Sequence, residues 1–111
     1  MTNPKGTHFE TAVVNHILAH GLPAARQPKY GTRDRGDIHV HDGAGDLFCI
    51  EAKNRKGYAI AEAIDQAKRE AENAGSIYPV AIIKRNKVGD VGKSFVVMEL
   101  DTWLASLDRP L

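Results

Sequence analysis

Asp37, Glu51 and Lys53 are the residues of this chain whose types and spacing could do hydrolytic chemistry. They fall within GDIHVHDGAGDLFCIEAKN, residues 36–54, where thirteen residues separate Asp37 from Glu51 and Ala52 alone separates Glu51 from Lys53. Side chains alternate across a strand, so Asp37 shares a face with His39 and His41, and Glu51 shares one with Lys53, opposite Ile50 and Ala52. If DGAGD folds the two runs into a hairpin, two carboxylates and an ammonium meet near its open end. Two hard oxygen ligands suit Mg²⁺, which takes one or two carboxylates, keeps several waters and shares its remaining positions with a phosphate. Mn²⁺ is expected to substitute. An ion there would polarise a phosphodiester and help generate hydroxide, with Lys53 orienting or activating the water. The competing reading is a surface salt bridge, since exposed charges are commonly just solvated.

The elements that must hold these residues follow from periodicity. Thr7 begins T-H-F-E, and Phe9, Val13, Ile17 and Leu18 recur at helical spacing, which predicts a helix over 7–20 closed by Gly21 and Pro23. Glu10 then has two readings, the carboxylate of a capping box or a metal ligand. Leu22 to Gln27 predicts a short edge strand, and QPKYGTRDRG a basic loop before the hairpin. Tyr58 to Ala74 predicts an amphipathic helix with Ile60, Ile64, Ala67, Ala71 and Ala74 inward and its charges outward, ended by Gly75. YPVAIIKR is apolar enough for a strand buried on both faces, and SFVVMEL for a last strand. Asp101 is positioned to cap a terminal helix. The order is α, three strands, α, two strands, an α/β sandwich in one domain over 1–111.

Composition narrows the class. The chain of 111 residues is 42% hydrophobic and 26% charged with a net charge of +1, which excludes wholesale disorder and a globally basic protein. Its basic residues are nonetheless clustered: Arg26, Lys29, Arg33 and Arg35 before the hairpin, Lys53, Arg55 and Lys56 after it, then Lys84, Arg85 and Lys87. No apolar run approaches the roughly 20 residues of a membrane span, and a cytoplasmic protein without membrane contact is expected. Cys49 is the only cysteine and is expected to pack as a small hydrophobe. His39 and His41 could bind a transition metal, but no third soft ligand follows at a useful spacing, so a polar solvent face or a DNA contact is expected. KVGDVGKS lacks the first glycine of a phosphate-binding loop and leads into a strand, so it reads as a turn using Gly89 and Gly92. Phe95, Val97, Met98 and Trp103 are expected in the core, although a two-sided apolar last strand also makes a dimer seam.

Asp37, thirteen residues, then Glu51-Ala52-Lys53 resembles the D…(D/E)xK signature of the restriction-endonuclease-like, PD-(D/E)XK, nuclease superfamily. The element order resembles its αβββαβ core over about residues 6 to 100, a mixed sheet flanked by helices. Within it the chain is most similar to the archaeal-type Holliday-junction resolvases. The resemblance implies Asp37 and Glu51 as metal ligands, the Ala52 carbonyl as a further ligand, Lys53 as the water-orienting residue, Glu10 as the first-helix glutamate and Gln66 as the second-helix glutamine. It places Arg26 and Thr32 among the DNA-contacting residues, beside Lys29, Tyr30, Arg33, Arg35, Arg55 and Lys56. One departure stands out: Gly36 replaces the usual proline, at a cost expected to fall on backbone rigidity alone.

The expected function is a Mg²⁺-dependent, structure-specific DNA endonuclease resolving four-way junctions, leaving 5′-phosphate and 3′-hydroxyl ends as the resemblance implies. A junction has two-fold symmetry, so two sites on a homodimer can nick it symmetrically. Two alternatives remain open: a nuclease of the same superfamily acting on a flap, nick, duplex or RNA, and a non-catalytic nucleic-acid-binding domain of the same fold.

Overall fold

The computed structural model describes residues 4–28, 34–54 and 59–108. In chain order they form α1 (Pro4–Ala19), β1 (Ala24–Arg26), β2 (Ile38–His41), β3 (Leu47–Lys53), α2 (Ile60–Ala74), β4 (Tyr78–Ile83), a 3-10 turn (Val91–Lys93), β5 (Phe95–Val97) and α3 (Leu100–Leu107). The strands make one sheet in the order β1-β2-β3-β4-β5. Strands β3 and β4 are parallel and every other neighbouring pair is antiparallel. A parallel pair cannot be joined by a tight turn, and α2 is the crossover that joins this one. The mixed α/β order αβββαβ expected of the restriction-endonuclease-like core is present, followed by β5 and α3.

DGAGD makes the hairpin turn through its first residue. Asp42 Oδ1 accepts from the amides of Ala44 and Asp46, both at 2.9 Å, and Gly45 takes the left-handed conformation at φ +86°. The turn sets the register Ile38 opposite Ile50 and Val40 opposite Phe48. One step further along that register, Asp37 faces Glu51. A slip of one residue would invert both strands' faces, so the aliphatic and polar sets lock each other in place.

Each face of the sheet has its own helix. Ile38, Val40, Ile50, Val80 and Ile82 pack against Phe9, Val13 and Val14 of α1. On the opposite face Ala81 and Ile83 pack against Ala63 and Ile64 of α2. Burial of each such aliphatic contributes about 1.5–3 kcal/mol, and the small alanines of α2, with Ala67 fully buried, let that helix lie close to the sheet. All six residues of β4 are buried, as an apolar strand between two helical layers must be. Both helices end as expected: Gly21 (φ +92°) donates to Leu18 O while Leu22 donates to Ile17 O, and Gly75 (φ +74°) and Ser76 repeat the pattern on Glu72 O and Ala71 O.

Several expectations are corrected. Helix α1 starts at Pro4, a residue suited to a first helical turn, so Thr7 lies inside the helix and forms no capping box with Glu10. Helix α3 starts at Leu100 with Glu99 at its N-cap, which leaves Asp101 in the first turn. In the β4–β5 connection the left-handed residue is Lys87, at φ +63°, and neither Gly89 nor Gly92 has positive φ. Strand β5 is short and last in the sheet order, and Phe95 and Trp103 are about half exposed (48% and 50%). Among the described residues no helix is long and apolar enough to cross a membrane.

Candidate active site

Asp37 enters the site through a constrained loop. Gly36 has φ +97°, and a Cβ there would stand 2.7 Å from Cys49 Sγ and 3.3 Å from Ile50 O. Its amide donates to Asp34 Oδ1 at 2.9 Å. Proline fits none of these conditions, so the glycine that departs from the superfamily pattern is demanded by this loop, not merely tolerated by it. The Arg35 carbonyl accepts from Cys49 Sγ (3.2 Å) and lies 2.7 Å from His39 Nε2, while Asn73 of α2 donates to the Asp34 carbonyl at 2.8 Å. Asp37 itself donates its amide to Ile50 O (2.9 Å), accepts at its carbonyl from Gln27 N (2.8 Å), and accepts at Oδ2 from Ala52 N (2.8 Å). The carboxylate is thereby fixed to the strand that carries Glu51.

Glu51 and Lys53 emerge on the α2 face of β3. Lys53 Nζ lies 3.3 Å from Glu51 Oε1 and donates to Gln66 Oε1 at 3.0 Å. Gln66, matched to the second-helix glutamine, thus holds the lysine from α2. Asp37 and Glu51 are each only 5% exposed. The structure thus brings Asp37, Glu51, Ala52, Lys53 and Gln66 together. At Ala52, the atom placed against Asp37 is the amide.

One carboxylate joins this group that sequence reasoning did not select. Glu70 of α2 is 2% exposed and within hydrogen-bonding reach of Glu51 and of Asp34. The outward assignment of every α2 charge is therefore wrong at position 70. The signal was present: 63, 67, 70 and 71 are one helical stripe, and an acid in an otherwise alanine stripe is an anomaly. Burial, then the neighbouring carboxyl of Glu70 and the charge of Asp37, holds Glu51 far above the usual carboxylate range. Glu70 is also raised, by burial first. Burial likewise pushes the Cys49 thiol up to about 12, so it is an inert packing group.

The remaining candidates are placed differently. Glu10 Oε1 forms an ion pair with Arg26 Nε at 3.5 Å, joining α1 to β1. Arg26 and Arg35 are exposed. His39, expected on a polar solvent face or at a DNA contact, is 8% exposed because α2 covers that face; burial lowers its pKa, and its Nε2 donates to Arg35 O. His41 is exposed. Lys29, Tyr30, Thr32, Arg33, Arg55 and Lys56 lie outside the described residues.

The donor set fits a hard divalent cation. Glu51 Oε2 is buried with no hydrogen-bond donor, and the acids around it outnumber Lys53, the ammonium within reach. Among the described residues no three His, Cys, Asp or Glu side chains close on one ion. Asp37 and Glu51 supply the one or two carboxylates that Mg²⁺ takes while it retains its waters.

No protein-family model matches the chain. No curated protein matches it either. Among solved structures it is similar to Hjc of Archaeoglobus fulgidus, a Holliday junction resolvase from an archaeal hyperthermophile, with a TM-score of 0.58 over 90% of this chain and 93% of that one, at 22% identity. The likeness first read from Asp37 and Glu51-Ala52-Lys53 holds at the level of architecture: the chain has the restriction-endonuclease-like fold.

Proposed function

We propose that the protein is a divalent-metal-dependent endonuclease acting on branched DNA, with Mg²⁺ at Asp37 and Glu51 and a four-way junction as substrate. The observation that carries this reading is the convergence of Asp37, Glu51 and Lys53 at one strand edge, with Gln66 gripping the lysine. A binding module would gain nothing from buried carboxylates that repel phosphate. The similarity to a solved resolvase supports the choice of substrate.

The ion, when bound, neutralises charge at the scissile phosphate and acidifies water. The chain supplies the positioning. Asp37, locked by the Ala52 amide, presents its carboxylate without rotamer freedom. Lys53 is a donor held between Glu51 and Gln66, so its ammonium can aim one N–H at the attacking water and then at the developing phosphorane charge. In-line attack that expels the 3′-oxygen would leave 5′-phosphate and 3′-hydroxyl ends, as the resemblance implies. Arg26 and Arg35 are exposed, and with Lys29, Tyr30, Thr32, Arg33, Arg55 and Lys56 they are proposed to hold the DNA backbone. Glu10, paired with Arg26 where α1 meets β1, is proposed to act on the metal on the strength of its resemblance to the first-helix glutamate.

Symmetric nicking requires two sites, and the exposed apolar residues Phe95, Leu100, Trp103, Leu104 and Leu107 support a homodimer seam on β5 and α3. An intracellular protein acting on DNA is the corresponding location. The test is labelled four-way junction, flap, duplex and single strand incubated with Mg²⁺ or EDTA, using wild type and Asp37→Asn. Paired nicks on the junction alone, lost in EDTA and in Asp37→Asn, are expected. Cleavage of the other substrates moves the reading to another structure-specific nuclease. Binding without metal-dependent cleavage overturns it.

A further inference from the structure

The reading above leaves one buried acid of α2 without a task. Glu70 is 2% exposed, and neither Oε1 nor Oε2 has a hydrogen-bond donor. It lies within hydrogen-bonding reach of Glu51, whose Oε2 is likewise buried without a donor. Lys53 does not serve them: its ammonium is directed at Glu51 Oε1 and Gln66. An acid retained only for packing is strongly disfavoured at such a position, where the other buried residues of the helix are Ala63, Ile64, Ala67 and Ala71. Gln66 and Glu70 are four residues apart on one helix face, and that face gives one polar side chain to each residue of the Glu51–Lys53 pair.

We propose that Glu70 belongs to the divalent-cation site, a third carboxylate delivered by α2 beside Glu51 that accepts hydrogen bonds from the cation's coordinated water. This rests on the metal-dependent reading of Asp37, Glu51 and Lys53. The proposal gives Glu70 a place one water away from the cation, where it would orient a coordinated water. Oxygens that are orphaned without the ion become acceptors with it, and the ion gains a negative charge at short range. The opposing possibility is that Glu70 merely crowds Glu51 and competes with the cation, in which case removing it tightens binding.

Calorimetric titration of Mn²⁺ into EDTA-stripped protein at pH 8 decides this without any turnover. The set is wild type, Glu70→Gln, Glu70→Met and Asp65→Asn, the last removing one charge from an exposed position of the same helix. The expected result is that both Glu70 variants bind Mn²⁺ roughly 10- to 100-fold more weakly than wild type while Asp65→Asn stays within about twofold. Melting in EDTA accompanies each titration, and both Glu70 variants should melt at or above wild type, since an acid buried beside Glu51 has been removed. Equal or tighter binding by the Glu70 variants, or melting well below wild type in EDTA, overturns the inference and leaves the metal-dependent reading intact. Failure of wild type to bind Mn²⁺ overturns both.

Discussion

Replacing Glu51 by Gln should stabilise the metal-free protein, and increasingly so as pH rises. In the fold Glu51 is buried beside Glu70 and Asp37, and its pKa stands well above the ordinary 4.5. The folded state therefore binds more protons than the unfolded chain. Its contribution to stability is complete below the unfolded value and is lost as pH climbs toward the folded one. One proton held only by the folded form costs up to about 1.4 kcal/mol per pH unit, so wild type should lose about 2–3 kcal/mol between pH 5 and pH 7 from this group. Glu70 shares the burial and keeps part of that slope in the variant, so the advantage of Glu51→Gln should grow by about 1–3 kcal/mol across the interval. For a domain of this size that is a gain of roughly 4–20 °C in Tm. The assay is urea or thermal denaturation of both proteins in EDTA at pH 5, 6 and 7, read as the difference between them so that other titrating groups cancel. With Mg²⁺ added at pH 7 the order should narrow or reverse, because the cation stabilises only wild type. A difference that is flat with pH, or wild type being the more stable at pH 7 in EDTA, would refute the reasoning.

Asp37→Asn keeps an acceptor for the Ala52 amide and so should fold normally while metal-dependent cleavage falls by roughly 10²- to 10³-fold, measured as single-turnover rates. Gln66→Leu frees Lys53 from one of its two restraints, and cleavage should fall by roughly 10- to 100-fold with substrate affinity unchanged in a binding titration. Gly36→Ala places a Cβ at 2.7 Å from Cys49 Sγ in a left-handed backbone; denaturant melts should show a loss of about 1–3 kcal/mol, and Gly36→Pro a larger one because the amide bonded to Asp34 also disappears. Junction affinity should fall steeply with salt, and Arg35→Ala should lower the slope of log K against log salt by about one with little change in melting temperature.

The site was legible where strand periodicity governs. Alternation of two placed Glu51 and Lys53 on one face and left Ile50 for the core, and the turn residues of DGAGD set Asp37 against them. Gly21 and Gly75 marked helix ends because no other residue enters the left-handed region so cheaply. What stayed hidden depended on tertiary covering. His39 reads as an outward polar residue until α2 is laid over its face, and Glu70 reads as a solvated acid until the same helix is rotated onto β3. Gly36 looked like a lapse from a proline pattern because the thiol of Cys49, thirteen residues on, is invisible to local sequence. Thr7 and Glu10 matched a capping box, but a helix that starts at Pro4 has no need of one there. Phe95 and Trp103 looked like core because hydrophobicity alone does not say whether a covering layer exists.

The central claim is that Asp37, Glu51 and Lys53 form a metal-dependent phosphodiesterase centre specific for branched DNA. It is tested most directly by mapping the ends produced from a four-way junction labelled on each strand, with Mg²⁺ and with EDTA. The account predicts paired nicks at symmetric positions carrying 5′-phosphate and 3′-hydroxyl termini, present only with the metal. An intact junction under conditions where the protein binds both DNA and Mg²⁺, or cleavage that persists in EDTA, would contradict it.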